Sequence, residues 1–218
     1  MTLLPSSWQT SPERPGTPPA ETASGLRPVN GFANQPRIAT PRLDLRKPVV
    51  GDSVALARGL SDALVSRMLL PLPQPYHPGD ALDWVLGWTD GASAGWVFAI
   101  TLRHDAARPG VSGDGEALGI VTLETGPAKV ELGYWLARPF WRQGIMSEAV
   151  SAVLTSFFDA APQGRVHSGV IADNPVSLRL QDRLGFAVTG VRDAWCRPRS
   201  AMVSVIATDV SASGFTPI

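Results

Sequence analysis

A strand pattern gives way to a helical pattern within residues 141–149 (WRQGIMSEA), and this change constrains the fold more than any other feature of the chain. Before it, residues 130–136 (VELGYWL) are dense in β-branched, aromatic and aliphatic side chains, and Gly126 and Pro139 bound them, which predicts a strand. After it, apolar residues recur at the steps typical of one packed helix face: Met146, Ala149, Val150, Val153, Leu154, Phe157 and Phe158. The predicted unit is a strand, a tight loop and a helix.

Gly144 lies in the tight loop, immediately before the helical pattern. A glycine lets the backbone approach a ligand closely because it has no side chain. The first turn of a helix also carries unpaired N–H groups and the positive end of the helix dipole. The amides of residues 143–147 are therefore predicted to form a phosphate site. Because many strand-to-helix turns carry a glycine for packing alone, this loop by itself leaves both interpretations open.

A second informative helix is predicted within residues 172–186 (ADNPVSLRLQDRLGF). Its start, its apolar face and its end follow the usual chemistry of helices. The residues concerned are Asp173 or Asn174 as the N-cap, Pro175 in the first turn, Val176, Leu180 and Leu184 on one face, and Gly185 and Phe186 at the end.

Together the two segments resemble the GNAT superfamily of acetyl-CoA-dependent N-acetyltransferases, and within it the Rim-type branch that acetylates protein amino termini. Residues 141–149 match the family's pyrophosphate loop, and residues 172–186 match its Asn-x-x-Ser helix ending in Leu-Gly-Phe. Residues 40–47 (TPRLDLRK) are similar to the usual opening strand of the family. The resemblance covers residues 37–210. It implies one α/β (α+β) domain, with a mixed, mostly antiparallel sheet flanked by helices.

The loop departs in part from the family pattern, which is Gln/Arg-x-x-Gly-x-Gly/Ala. Trp141 holds the first position, Arg142 a place often taken by glycine, and Met146 the last small-residue position, where it is expected to narrow the cradle. The resemblance implies that acetyl-CoA binds as co-substrate, with its pantetheine arm along an open edge of the 130–136 strand. The residues expected to contact it are Leu136, Trp141, Arg142, Gln143, Gly144, Ile145, Met146, Ser147 and Asn174.

The resemblance also implies the chemistry, in which an amine attacks the thioester directly and no acyl-enzyme forms. Ser177, three residues after Asn174, is the candidate acid for the departing thiolate. The alternative is a first-turn serine that only bonds to the backbone. Asn174 is expected to bind the pantetheine, to cap the helix, or to do both.

The base for the attacking amine is predicted to be a carboxylate next to the reaction centre. A period of two puts Glu131, Gly133 and Trp135 on one face of their strand. Glu131 is therefore the first choice, and Glu124 on the preceding strand is the second. Both are equally well explained as ordinary solvated strand residues.

The acceptor is expected to be a primary amine, either a protein N-terminal α-amine or a small-molecule amine. Deprotonating a lysine side chain at pH 7 costs roughly 4 to 5 kcal/mol and an α-amine only about 1 kcal/mol, so a weak base suffices for amino termini. Tyr76 and His77, in the proline-rich loop 69–80, are candidates for acceptor contact, against the alternative of loop packing. A non-catalytic acyl-CoA-binding sensor or scaffold is the alternative function, motivated by Met146 and by the lack of an unambiguous base.

Composition narrows the remaining classes of protein. The 218 residues suffice for one core, and 44% hydrophobic and 17% charged residues are typical of a globular protein. The formal net charge is zero, so nucleic-acid binding is not expected. The sequence contains no run of about 18 apolar residues, so no membrane span is predicted. The lone Cys196 and the unclustered His77, His104 and His167 predict no disulfide and no metal site. We expect a cytoplasmic protein, and the resemblance implies a homodimer formed through the carboxy-terminal strands.

Three segments are predicted along the chain. Residues 1–36 are rich in Pro, Ser, Thr and Gly without a hydrophobic period, which predicts a flexible tail. Leu3, Leu4 and Trp8 leave a docking anchor in this tail as the alternative. Residues 37–210 are predicted to form the domain, and residues 211–218 a carboxy-terminal tail.

The other elements of the domain are predicted from the same periodicities. Strands are predicted at residues 42–46, 96–102, 117–123, 165–172, 187–191 and 201–208. Helices are predicted after an Asp52 cap, at residues 63–69, and after an Asp80 cap, the last with Trp84 and Trp88 in the core. A loop with Gly110, Gly113 and Gly115 is expected to be a hairpin connection, because it lacks a dinucleotide-binding pattern.

Overall fold

One mixed sheet forms the centre of the molecule in the computed structural model, which describes residues 35–91, 93–103, 115–126 and 129–218. Its strands lie in the order β1-β2-β3-β4-β5-β6-β8-β7, and only β5 and β6 run parallel to each other. The strands are β1 (Ile38–Ala39), β2 (Leu43–Arg46), β3 (Gly95–Leu102), β4 (Gly119–Thr125), β5 (Val130–Leu136), β6 (Arg165–Ile171), β7 (Ala187–Cys196) and β8 (Ala201–Ser211).

Helices cover both faces of this sheet. They are α1 (Ser53–Leu60), α2 (Ala63–Ser66), α3 (Pro78–Thr89), α4 (Ile145–Ala160) and α5 (Pro175–Arg183). A first core forms between the sheet and helices α4 and α5, and a second core forms between the sheet and helices α1 to α3. Neighbouring residues of a strand point to opposite faces, so Tyr134 packs in the first core and Trp135 in the second. The predicted mixed α/β fold is confirmed.

The two predicted aspartate caps, Asp52 and Asp80, do not cap their helices as the sequence predicted. Helix α3 begins at Pro78 with His77 as its N-cap, and Asp80 lies inside the first turn, where its carboxylate accepts the His77 N–H at 2.7 Å. Asp52 precedes α1 but makes no cap bond, because its carboxylate accepts from both Nη atoms of Arg46 at 2.8 Å.

Several predicted elements also differ in length. Helix α2 ends at Ser66 rather than at residue 69. Strands β7 and β8 both run beyond their predicted ends. Most of β7 is exposed, so no alternation of buried and exposed residues marked its limit. The two-residue strand β1, paired with β2, adds a short edge that the sequence pattern did not predict.

Most of the predicted amino-terminal tail, with Leu3, Leu4 and Trp8, lies outside the described residues, as do His104, Gly110 and Gly113. Residues 211–218 pack on the domain. The ring centroids of Phe215 and of Phe158 on α4 lie 5.3 Å apart. The Thr216 N–H donates to the Leu184 carbonyl at 3.1 Å. This segment therefore braces α4 and the end of α5.

We predict that Gly185→Ala strongly destabilises the protein. Gly185 ends α5 with a φ of +88°, and a Cβ there would overlap the Gly214 carbonyl oxygen of the bracing segment. Left-handed backbone and overlap together should lower the free energy of unfolding by roughly 2 kcal/mol or more, as measured by urea denaturation. The matched control is Gly190→Ala, because that glycine has no neighbour within 4 Å of a built Cβ. It should change stability by less than about 0.5 kcal/mol. Equal effects in the two variants would contradict this explanation.

Candidate active site

Strands β5 and β6 separate shortly after they begin. Their only registered pairs are Val130 with Val166 and Glu131 with His167. Beyond these pairs β5 stays bonded to β4 as far as Leu136, and β6 stays bonded to β8 as far as Ile171. We call the opening between residues 132–136 of β5 and 168–171 of β6 the wedge. Its walls are strand edges, to which an extended chain bearing amides can add hydrogen bonds.

The wide end of the wedge leads into the loop before α4. This loop contains two left-handed residues, Arg142 with φ of +61° and Gly144 with φ of +74°. Gly144 is the N-cap of α4, and no side chain caps the helix. Within the described part of the chain, no main-chain N–H from Gln143 to Ser147 donates a hydrogen bond. The amides predicted to bind a phosphate are therefore not occupied by protein groups.

Side chains of the loop hold its shape. The indole Nε1 of Trp141 donates to the Leu136 carbonyl at 2.7 Å, and the Gln143 amide donates to the Pro139 carbonyl at 3.0 Å. The main-chain N–H of Trp141 donates to the Arg138 carbonyl at 3.1 Å. Trp141 thus ties the loop to the end of β5, which gives a physical reason for tryptophan at this position.

Met146 and Ile145 lie in the first turn of α4. Ile145 is buried in the first core, and the half-buried Met146 side chain packs against the same core. Part of the Met146 side chain is therefore engaged in core packing rather than in the cradle that the sequence predicted it to narrow.

The carboxylate of Glu148 lies in the first turn of α4, where it is bound by the opening strand. It accepts from Thr40 Oγ1 at 2.5 Å, from the Arg42 main-chain N–H at 3.0 Å and from Arg42 Nε at 2.6 Å. Arg42 Nη1 also donates to the Gln143 carbonyl at 2.7 Å. Burial raises the pKa of Glu148, but the hydrogen bonds from Thr40 and Arg42 outweigh it and hold the pKa below its ordinary value. Arg42 neutralises Glu148 and fastens the loop with one side chain.

Helix α5 brings Asn174 and Ser177 to the other side of the wedge. Asn174 is the N-cap, and its Oδ1 accepts the Ser177 N–H at 3.3 Å, so its predicted capping role is confirmed. Ser177 is buried, and its Oγ lies 2.7 Å from the Tyr134 hydroxyl on β5. Asp173, the other candidate cap, is instead held by a bidentate pair with Arg199 at 2.7 and 2.9 Å, and that hydrogen bonding lowers its pKa.

The two candidate bases lie opposite each other on β4 and β5. Glu124 is the register partner of Glu131, and Glu131 is ion-paired with Lys129 at 2.5 Å, at the closed end of the wedge. Because Glu131 and Tyr134 are three residues apart in a strand, their side chains point to opposite faces. The structure therefore separates Glu131 from Ser177 by the thickness of the sheet.

The loop candidates for acceptor contact lie apart from Ser177. Tyr76 is buried in the second core, where burial, aided by the charge of Asp80, raises its pKa. His77 is exposed at the start of α3. Trp84 and Trp88 pack in the second core, which confirms their predicted core position.

The described residues also bear on a nucleophilic cysteine, a metal site and a membrane-spanning helix. Burial raises the pKa of the Cys196 thiol, so it is a poor nucleophile. In the described ranges, no three His, Cys, Asp or Glu side chains come together in a way that could hold a metal ion. None of the described helices has the length and apolar character needed to cross a membrane.

Comparison with known proteins gives a family match. The model of a family described as "Acetyltransferase (GNAT) domain" matches residues 42–187. The chain is 26% identical to the "Uncharacterized N-acetyltransferase p20" of Bacillus licheniformis over 168 residues, or 76% of this chain and 90% of that protein. It is 30% identical over 80 residues to the "Putative ribosomal N-acetyltransferase YdaF" of Bacillus subtilis, or 35% of this chain and 44% of that protein. A further relative, the "Uncharacterized N-acetyltransferase YoaA" of Bacillus subtilis, is 34% identical, over 34% of this chain and 42% of its own length.

Solved structures share the fold at low sequence identity. The ribosomal-protein-S5-alanine acetyltransferase of Vibrio fischeri superposes with a TM-score of 0.65 and 16% identity, over 84% of this chain and all of that one (100%). An acetyltransferase (GNAT family) of Bacillus anthracis also gives 0.65, with 18% identity over 81% of this chain and 99% of that one.

Glu148→Gln should lower the free energy of unfolding by about 1 kcal/mol at pH 7, because the half-exposed Arg42 is partly screened by solvent. The folded-state pKa of Glu148 is depressed, so its contribution is present above the ordinary glutamate pKa and is lost as pH falls through the folded value. The difference between the two proteins should therefore shrink below about pH 4.3 in urea titrations. Asp159→Asn, at an exposed position of the same helix, is the control and should show no such convergence.

Proposed function

This chain belongs to the GNAT acetyltransferase family, and from that premise we propose that it transfers the acetyl group of acetyl-CoA to a primary amine, foremost a protein N-terminal α-amine. The acceptor attacks the thioester directly. The C–N bond forms, the C–S bond breaks, the amine loses a proton and the departing sulfur gains one.

The wedge and the loop before α4 are the observation that carries this proposal. Acetyl-CoA combines a diphosphate with a pantetheine arm that bears amides, and it supplies a thioester carbonyl to the attacking amine. The unoccupied amides from Gln143 to Ser147 fit the diphosphate, with the positive end of the α4 dipole behind them. The edge of β5 that no longer pairs with β6 fits the arm. Because Glu148 is neutralised by Arg42, its charge does not oppose an anion at this place.

Nine residues are proposed to contact the donor, in keeping with this fit. They are Leu136 at the edge of β5, Trp141, Arg142, Gln143 and Gly144 in the loop, Ile145, Met146 and Ser147 in the first turn of α4, and Asn174 at the start of α5. Gln143, Gly144 and the first turn of α4 contribute through main-chain N–H groups. Trp141 contributes by holding the loop to Leu136.

Ser177 is proposed as the acid that meets the departing sulfur. Its hydroxyl is buried in the first turn of α5, within hydrogen-bonding distance of a β5 side chain that borders the wedge. Glu131, with Glu124 as second choice, is proposed as the base on the opposite face, acting directly or through a water. Amine and thiolate would thus exchange protons with different sides of the sheet.

An N-terminal α-amine is favoured because its deprotonation at pH 7 costs only about 1 kcal/mol, within reach of a carboxylate paired with Lys129. The names of YdaF and of the Vibrio fischeri enzyme point to ribosomal-protein substrates for those proteins. Tyr76 and His77 are kept as proposed acceptor contacts. A homodimer through β7 and β8 fits the exposed apolar side chains of those strands: Val188, Val191, Trp195 and Met202.

Isothermal titration tests the donor site. The protein should bind acetyl-CoA, and Gly144→Ala should weaken the affinity by about tenfold. The reason is that alanine is strained in the left-handed backbone conformation of this residue, and that its Cβ would lie 3.3 Å from Arg42 Nη2. Gly190→Ala should bind like the unchanged protein. No binding up to millimolar acetyl-CoA would reject the donor, and equal affinity of Gly144→Ala would reject the loop as its site.

A second assay tests the acceptor through release of free coenzyme thiol. Peptides with a free α-amine should be acetylated much faster near pH 7 than peptides with a blocked amino terminus and a free lysine. The order follows from the fraction of neutral amine at pH 7, which is roughly one in ten for an α-amine and roughly one in 2,500 for a lysine, a difference of a few hundred-fold. Preference for the lysine peptide would reject the proposed substrate class while leaving acetyl transfer intact.

A further inference from the structure

Beside the wedge, buried polar side chains of β5, β6, β8 and α5 form one connected set of hydrogen bonds. Thr208 on β8 contacts Gln181 on α5 at 2.7 Å, and Gln181 contacts Tyr134 on β5 at 3.3 Å. Tyr134 contacts Ser177 at 2.7 Å, and Ser168 on β6 lies 2.8 Å from Gln181. All five side chains are buried. Polar groups are costly to bury unless they are bonded, so this set of hydrogen bonds constrains where each proton lies.

The amide of Gln181 sets the direction of its own three hydrogen bonds. Its Oε1 can only accept, and it accepts from Thr208 Oγ1. Its Nε2 can only donate, and its two hydrogens go to Ser168 Oγ and to the Tyr134 hydroxyl oxygen. The Tyr134 hydroxyl lies 2.7 Å from Ser177 Oγ and 3.5 Å from the Ser177 carbonyl oxygen. Because a phenol is a stronger acid than an aliphatic alcohol, its proton is assigned to the nearer acceptor, Ser177 Oγ.

We propose that Tyr134 is a positioning residue that donates its hydroxyl proton to Ser177 Oγ and thereby turns the proton of Ser177 toward the departing sulfur. This inference rests on the acid role given to Ser177 in the proposed function. The sulfur leaves with the electron pair of the C–S bond, so it needs a donor facing it. With the Ser177 proton turned to Tyr134 instead, the serine oxygen would present lone pairs to a thiolate and oppose its departure.

The location of this set of hydrogen bonds supports a role beyond packing. Tyr134, Ser168 and the Leu132 carbonyl lie where β5 and β6 no longer share main-chain bonds, and Ser168 Oγ donates to that carbonyl at 3.2 Å. Gln181 is fully buried on the helix face that also carries Ser177 and Leu180, although leucine would fill the same space without needing partners. The glutamine holds a hydroxyl pair at the wedge in one arrangement.

A double-mutant cycle tests the proposal on the full chain. Tyr134→Phe keeps the ring and removes only the donor, and it should lower kcat for acetyl transfer about tenfold, which corresponds to the loss of one hydrogen bond. Acetyl-CoA affinity by calorimetry should stay within about twofold, because the loop before α4 is untouched. In the Ser177→Ala background, Tyr134→Phe should cause no further loss. Melting temperatures of all variants report any structural effect.

Three results would overturn the proposal. One is an equal loss of kcat from Tyr134→Phe with and without Ser177, which would mean that the two residues act independently. Another is a loss of acetyl-CoA affinity in Tyr134→Phe in place of a loss of kcat. The third is unchanged kcat in Ser177→Ala, which removes the acid and therefore its positioning residue. In that case thiol release would continue at the normal rate, whereas failure of the proposed transfer reaction itself would abolish thiol release in the unchanged protein.

Discussion

One interruption of main-chain pairing governs this structure. Strands β5 and β6 share partners only at their first residues, and each then remains bonded to the strand on its other side. Main-chain groups left unpaired inside a protein are costly, so such an opening persists only where side chains or a ligand satisfy them. The other parts of the site follow from this opening, because α4 begins at its wide end and α5 lies along one side.

Alternation along β5 divides the site into two environments. Tyr134 faces α5 and its hydroxyl meets Ser177, while the next residue, Trp135, is buried under α1. The contact with α1 is close, since a Cβ built at Gly59 would lie 2.8 Å from the Trp135 ring. A strand held from both sides can keep Ser177 and Glu131, the proposed acid and base, on opposite faces of the sheet at a fixed separation. This arrangement suits a reaction in which two protons move at different atoms.

Local sequence patterns were sufficient to predict the features that depend only on residues close together in the chain. The strand–loop–helix unit, the Asn174 cap and the left-handed Gly185 are set by residues close in sequence. The bonds of Tyr134 to Ser177 and of Arg42 to Glu148 were missed because they join residues 43 and 106 positions apart. Neither periodicity nor spacing reports such pairs. Tyrosine in an apolar strand indicated core packing, and only the fold reveals what its hydroxyl contacts.

At the narrow end of the wedge, the bond from Ser168 Oγ to the Leu132 carbonyl joins two strands whose backbones have already separated. The depth of the opening is therefore set by a side chain rather than by sheet register. Replacing this serine would remove that link and leave the two registered pairs of β5 with β6 in place. In the proposed transfer reaction, the room for the donor at this end of the wedge would therefore depend on one side chain and not on the strand register.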